Sequence, residues 1–376
     1  MGLRPAEASA MYEEDRFEIL VCPEDGSGAH TQTMKLVENP GYDLNLITKE
    51  VPHYETAIEL LDDGKCDMIA VSGSWWYANH NRDLSAGIVL ARREPTKVLV
   101  CEDKTEYIPK KGIIVVDSEL LRRQMLRSRP DLEIRLVADM EGAPTADLER
   151  ANWLEEKRID AEIDGYVVKR SVHSALPFRA RRHTLGLQRD SPERFRFVPQ
   201  PLEGFTILLT RPDFPAKRFN QIIDAGAALS LRLEMMILDH VDSEMHDRLG
   251  LMVEQRKVAT VLNEARKAGE DLSLKGIVTD KGVVRHGNTR IDIVMEALNP
   301  DGTVTASVEK VFPPEESHSA ILNLLNDWNS LLSVMTDTPQ EETRGRIKEL
   351  MDAYVDKMVG HGAMDPDKIG EPMMDL

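Results

Sequence analysis

"GIIVVDSELLRRQMLRSRPDLEIRLV", residues 112–137, decides how the chain is read. The apolar run Ile113–Val116 has no alternation, as a strand buried on both faces of a parallel sheet requires. Ser118 then stands at a helix entrance, Pro130 lies where that helix must stop, and "LEIRLV" resumes an extended pattern. Strand, helix and strand in so short a span make one crossover unit. The helix carries two adjacent arginines, Arg122 and Arg123, in its first turns. Paired guanidinium groups beside a helix N-terminus suit a carboxylate better than lysine does.

Working outward, the same unit recurs upstream. "FEILVC" (17–22) reads as a strand, "PEDGSG" (23–28) as a loop, and a helix follows from about Ala29. "YDLNLITKEV" (42–51), "YETAIELLDDGK" (54–65) and "CDMIAVSG" (66–73) continue as strand, helix and strand. "GIVLARREPTKVLVCED" (87–103) supplies more strand. A helix over roughly 146–157, the strand-like "IDGYVVKR", the strand "GFTILLTR" and the long helix "FNQIIDAGAALSLRLEMMILDHV" follow. From about Asp242 the pattern changes: residues 246–269 read as helical, and residues 272–312 as an antiparallel meander with turns at DKG and NPDG. Two amphipathic helices come after Pro314, and they suit either a homodimer contact or a cover over a cleft. The expected division is a disordered lead-in over 1–16, a first lobe of 17–105 with 205–240, a second lobe of 106–204, a third α+β domain of 241–313 and a helical extension of 314–376. The fold class is α/β with parallel or mixed sheets.

The formal charge of −18 argues against a nucleic-acid or anionic-membrane partner. No stretch reaches the roughly 18 apolar residues of a membrane span, and the N-terminus lacks the apolar segment of a signal peptide. Three scattered cysteines, Cys22, Cys66 and Cys101, without a CxxC pair point to buried thiols in a reducing cytoplasm. His30, His80, His173 and His183 show no metal spacing, and Gly26-Ser27-Gly28 does not make a phosphate loop. No metal or cofactor is expected.

Two further groups of residues are candidates for a site. A basic stretch from Lys169 to Arg196, opening with Lys169 and Arg170, holds eight Lys or Arg against Asp190 and Glu193. Ser27, Ser72 and Ser74 could hydrogen-bond a ligand, and Trp75 and Trp76 at a strand exit could wall its pocket. Glu24 and Asp25 beside the Gly-Ser loop could hold a substrate amine or move its proton.

The order of these segments resembles hydroxymethylbilane synthase, also called porphobilinogen deaminase. "ELLDDGKCDMIAVS" is similar to that family's helix and strand ending in AVHSxKD. "LSAGIVLARREPTKVLV" is similar to LPxGLxxAAxxxREDPRDALV, and "DSELLRRQMLRSRPDLEIRLV" to TSSLRRQxxLxxxRPDLxxxxL. The resemblance implies two lobes like those of type II periplasmic binding proteins, with a small third domain. It also implies Ser118, Arg122 and Arg123 as a carboxylate anchor. The family's chemical residues are missing: Trp75 and Trp76 fall on its lysine and aspartate, and Glu24 falls near an arginine. Glu270 or Asp271 falls near its primer-bearing cysteine, so no dipyrromethane is expected. The expectation is therefore a divergent enzyme that eliminates an amine and forms a C–N or C–C bond on a small carboxylated, amine-bearing substrate. Two alternatives stand beside it: a genuine hydroxymethylbilane synthase, and a non-catalytic protein that binds a carboxylated metabolite.

Overall fold

The computed structural model describes residues 16–23, 26–39, 41–80, 82–177, 180–189, 194–268 and 288–336. In chain order the elements are β1 (Arg16–Val21), α1 (Ala29–Val37), β2 (Asn45–Glu50), α2 (Tyr54–Asp62), β3 (Met68–Ser72), α3 (Gly73–Asn79) and β4 (Ser85–Val89). Then come β5 (Lys97–Cys101), β6 (Ile113–Val116), α4 (Glu119–Ser128), β7 (Glu133–Leu136), α5 (Asp147–Ile159), β8 (Gly165–Lys169), α6 (Arg170–Ala175) and β9 (Arg182–Leu185). The chain continues with β10 (Thr206–Thr210), α7 (Ala225–Leu238), β11 (Leu249–Lys257), α8 (Val258–Ala268), β12 (Thr289–Leu298), β13 (Thr305–Phe312) and α9 (Ser317–Thr336). Two compact units divide it, Met1–Leu325 and Asn326–Leu376; the described part of the second is the later half of α9.

The first unit is built on two five-stranded sheets of matching order. One runs β2-β1-β3-β10-β4 and the other β7-β6-β8-β5-β9. In each, the first three strands are parallel, and the fourth lies antiparallel to its neighbours. That fourth strand is the one arriving from the other lobe: β5 enters the second sheet and β10 returns to the first. This is the two-lobed α/β arrangement of a type II periplasmic binding protein, and in this respect the expected fold is the observed one.

The period-two rule explains why β6 and, after Lys97, β5 are apolar on both faces. Val98, Val100 and Val115 pack with Leu154 and Tyr166 on one face of the second sheet. Leu99, Ile114 and Val116 pack with Leu121 and Met125 of α4 on the other. Each such side chain, removed from water, contributes about 1.5–3 kcal/mol. Helix α4 starts at Ser118, whose Oγ accepts from Leu121 N, and turns its Leu120, Leu121 and Met125 inward. In the first lobe Ile19, Met68, Ile88 and Leu208 form the corresponding core with Phe17 and Phe219.

The third domain is the antiparallel sheet β11-β12-β13 with α8. It packs on α7 of the first lobe and α4 of the second. Residues 249–257 correct the expected helix over 246–269. "LGLMV" is buried throughout and pairs residue by residue with β12, so the sheet overrides the local helical pattern. "GIVLARREPTKVLVCED" is likewise two strands in different sheets, and the charged "ARREPT" between them is a crossover segment. The DKG turn and the expected second C-terminal helix lie outside the described residues. No described helix is long and apolar enough to cross a membrane. The three cysteines are buried and none is disulfide-bonded, and burial pushes the Cys66 thiol up to about 12.

Candidate functional site

The two crossover segments, 90–96 and 198–205, run side by side between the lobes. Leu90 N donates to Thr206 O and Arg93 N to Gly204 O. Gly204 has φ 83°, and a Cβ there would collide with Arg93 O, so only glycine lets the two segments approach so closely. Behind them Arg92 is half-buried and paired with Glu234 of α7 at 2.7 Å. Glu234, fully buried, also accepts from Leu202 N at 2.6 Å and Val253 N at 2.9 Å. One carboxylate thereby ties a crossover strand, a lobe helix and the third domain together.

A cavity of about 290 Å³ opens where these segments meet both lobes. The first lobe supplies Ser27, Ser72, Ser74 and Tyr77; the second supplies Lys169, Arg170 and Ser171; the crossovers supply Arg93, Glu94, Gln200 and Glu203. Ser27 Oγ accepts from Ala29 N at 3.1 Å, and Ser72 Oγ accepts from Trp75 N at 3.2 Å while lying 3.3 Å from Ser74 Oγ. Arg93 Nε donates to Gln32 at 2.9 Å. The lobes touch at this edge, where Ser171 Oγ donates to Gly26 O at 3.1 Å. Burial, reinforced by Asp239, pushes the Tyr77 hydroxyl up to about 12, so it enters the cavity protonated.

The charges around the cavity are paired. Lys169 Nζ donates to Asp147 at 2.8 Å and Arg170 to Glu94 at 2.6 Å. Beneath them Lys97, 4% exposed, is shared by Asp117 at 3.0 Å and Glu203 at 3.1 Å. Burial alone would favour neutral forms. The opposed charges outweigh it, holding Asp117 below the usual carboxylate range and Lys97 above the usual ammonium range.

The structure thus gathers Ser27, Ser72, Ser74, Lys169 and Arg170, out of the residues singled out in the sequence, around one cavity. The others lie elsewhere. Trp75 packs against Tyr54, ring centroids 4.8 Å apart, and Trp76 is buried; both belong to helix α3, which leaves the end of β3 directly. Ser118 caps α4. Arg122 and Arg123 both grip Glu119, at 2.7 and 2.6 Å, and donate onward to Pro300 O and Leu298 O of the third domain. Glu24, Asp25, Glu270 and Asp271 lie outside the described residues. Arg93, Glu203 and Gln200 were not foreseen; the sequence signal for the first was the pair Arg92-Arg93 just ahead of Glu94-Pro95 between two apolar runs.

No family model and no curated protein matches the chain. Solved structures do. The periplasmic aliphatic sulphonate binding protein of Escherichia coli is 14% identical, with 74% of this chain and 80% of that one covered and a TM-score of 0.31. A methionine binding protein is 14% identical over 55% and 89%, with a TM-score of 0.34. The ligand binding component of an ABC-type import system from Staphylococcus aureus is 11% identical over 88% and 95%, with a TM-score of 0.33.

All three are described as binding proteins, and none is a hydroxymethylbilane synthase. The expectation of membership in that family is accordingly corrected, together with deaminative bond formation, transferase chemistry and the assignment as an enzyme. The geometry supplies the physical reason. The matched stretch "DSELLRRQM" works here as strand end, helix cap and i, i+3 and i, i+4 ion pairs, all of which a lobe of this kind needs for folding alone.

Proposed function

We propose that the chain is a non-catalytic clamshell protein that holds a small carboxylated metabolite in the cavity between its lobes. The observation carrying this reading is the interlobe cavity itself, where hydroxyls and cations of the two lobes and Arg93 of one crossover meet the carboxylates Glu94 and Glu203. A volume of about 290 Å³ suits a small molecule. Its acid group would take Lys169, Arg93 and the serine hydroxyls, and an amine would face Glu203 and Glu94. The buried pair beneath the cavity suits this reading: Lys97 and Asp117 hold each other in their ionised forms, whereas a general acid or base needs a pKa near the working pH. Buried, unbridged thiols suit a reducing compartment.

Titration calorimetry of the full chain against three- to six-carbon mono- and dicarboxylates and amino acids tests this. Saturable binding of one class, recovery of that ligand unchanged, and loss of about tenfold or more in affinity on Lys169→Ala are expected. Turnover of the bound compound, or indifference to the whole panel, would refute it.

A further inference from the structure

The crossover residues Glu94, Pro95 and Thr96 line a second and larger cavity, of about 790 Å³. Its other walls are edge strand β9, the C-terminal end of α4, residues 194–199 and Met252 and Glu254 of β11. In a chain of net charge −18 this lining is cationic: Lys104, Arg129, Arg182, Arg189 and Arg194 face Glu94, Glu106 and Glu254. Several of these charges are spoken for. Arg129 chelates Asp131, Arg189 pairs with Glu254 at 2.6 Å, and Glu94 pairs with Arg170.

The remainder is unbalanced. Lys104, Arg182 and Arg194 are all exposed, and none forms an ion pair among the described residues; of the described lining residues, only the Glu106 carboxylate is left to offset them. Arg182 instead lies 3.0 Å from His173 Nδ1, a partner that gives it no opposite charge. Burial and the Arg182 charge hold that imidazole in its neutral form. Three like charges around one cavity repel one another, and a bound polyanion would relieve that repulsion. Phe195, 50% exposed, stands beside Arg194 on the same wall, with Leu187 and Phe197 also in the lining. An open aromatic face next to a guanidinium is a platform for a flat ring.

We propose that this groove is a second ligand site, separate from the cleft although the two share the wall Glu94-Pro95-Thr96, which takes an organic polyanion bearing a flat ring, of the nucleoside phosphate class. The volume accommodates such a ligand. The probes are ATP and inorganic tripolyphosphate, titrated into the full chain by calorimetry at low and moderate salt. ATP is expected to bind saturably, more tightly than tripolyphosphate, and more weakly as salt rises. Arg182→Ser with Arg194→Ser should weaken it by about tenfold or more. Phe195→Ala should weaken ATP and leave tripolyphosphate unchanged, while Lys169→Ala in the cleft should leave ATP binding as it was. The substituted positions 182, 194 and 195 are exposed, so unchanged thermal unfolding certifies each variant. The assignment is overturned if ATP does not saturate, if tripolyphosphate binds equally well, or if Lys169→Ala abolishes binding while the double arginine variant keeps it.

Discussion

Replacing Arg92 by methionine tests how the crossover is held. Methionine keeps much of the aliphatic volume and removes the guanidinium from above the Phe205 ring, 4.0 Å from its centroid. Glu234 is left fully buried with two backbone N–H donors and no cation. Breaking a buried pair from one side costs about 3–5 kcal/mol, because the remaining charge has no compensation. Glu234→Gln perturbs the same network differently. Both carboxylate oxygens accept from backbone N–H groups, so the amide must turn its NH2 toward one of them, a mismatch of about 1–3 kcal/mol. Arg92→Met with Glu234→Gln removes the stranded charge, so the pair of substitutions should fall short of additivity by about 0.5–3 kcal/mol. Urea unfolding followed by circular dichroism measures all three. A loss below about 1 kcal/mol for Arg92→Met, the range of an exposed pair, would show that the network does not hold the crossover.

Three further outcomes follow from the same structure. Glu296, also fully buried, accepts from Gln124, Arg127 and Arg196, so Glu296→Leu strands the Arg127 guanidinium, while Arg196 keeps Glu309, and should cost about 3–5 kcal/mol by denaturant unfolding. Gly64→Ala, at φ 69° with open space around it, should cost about 1–2 kcal/mol, and Gly204→Ala, which meets Arg93 O as well as positive φ, should cost more. The Asp117 carboxyl is depressed in the folded state, so its contribution is complete above the unfolded value of about 3.9 and is lost as pH falls through the folded value. Unfolding free energy measured against pH should therefore decline in acid below about pH 4, and Asp117→Asn should flatten that decline.

Much of the two-lobed plan was legible, because buried strands and amphipathic helices announce themselves locally. "GIIVV" and "DMIAVS" could hardly be anything but central strands. Partners distant in sequence were not legible. Arg122 and Arg123 read as a free anchor, yet the carbonyls they reach belong to Leu298 and Pro300, and nothing near the arginines signals that contact. The strand at 249–257 was missed because its extended form depends on β12, some forty residues onward. In the cavity, Ser27, Ser72, Ser74, Lys169 and Arg170 stood at ends of recognisable strands or helices. Glu203 and Gln200 lie in irregular backbone, where no periodicity marks them.

The place of β10 in its sheet has a consequence for synthesis. Among the described residues strand β4 pairs only with β10, which is also the neighbour of β3. A ribosome must therefore translate the whole of the second lobe before the first can be completed, a delay of about 6–24 s at 5–20 residues per second. During that interval the nascent chain carries Ile69, Val71, Ile88 and Val89 on an unfinished edge, and this is the stretch of its life in which chaperone protection matters most.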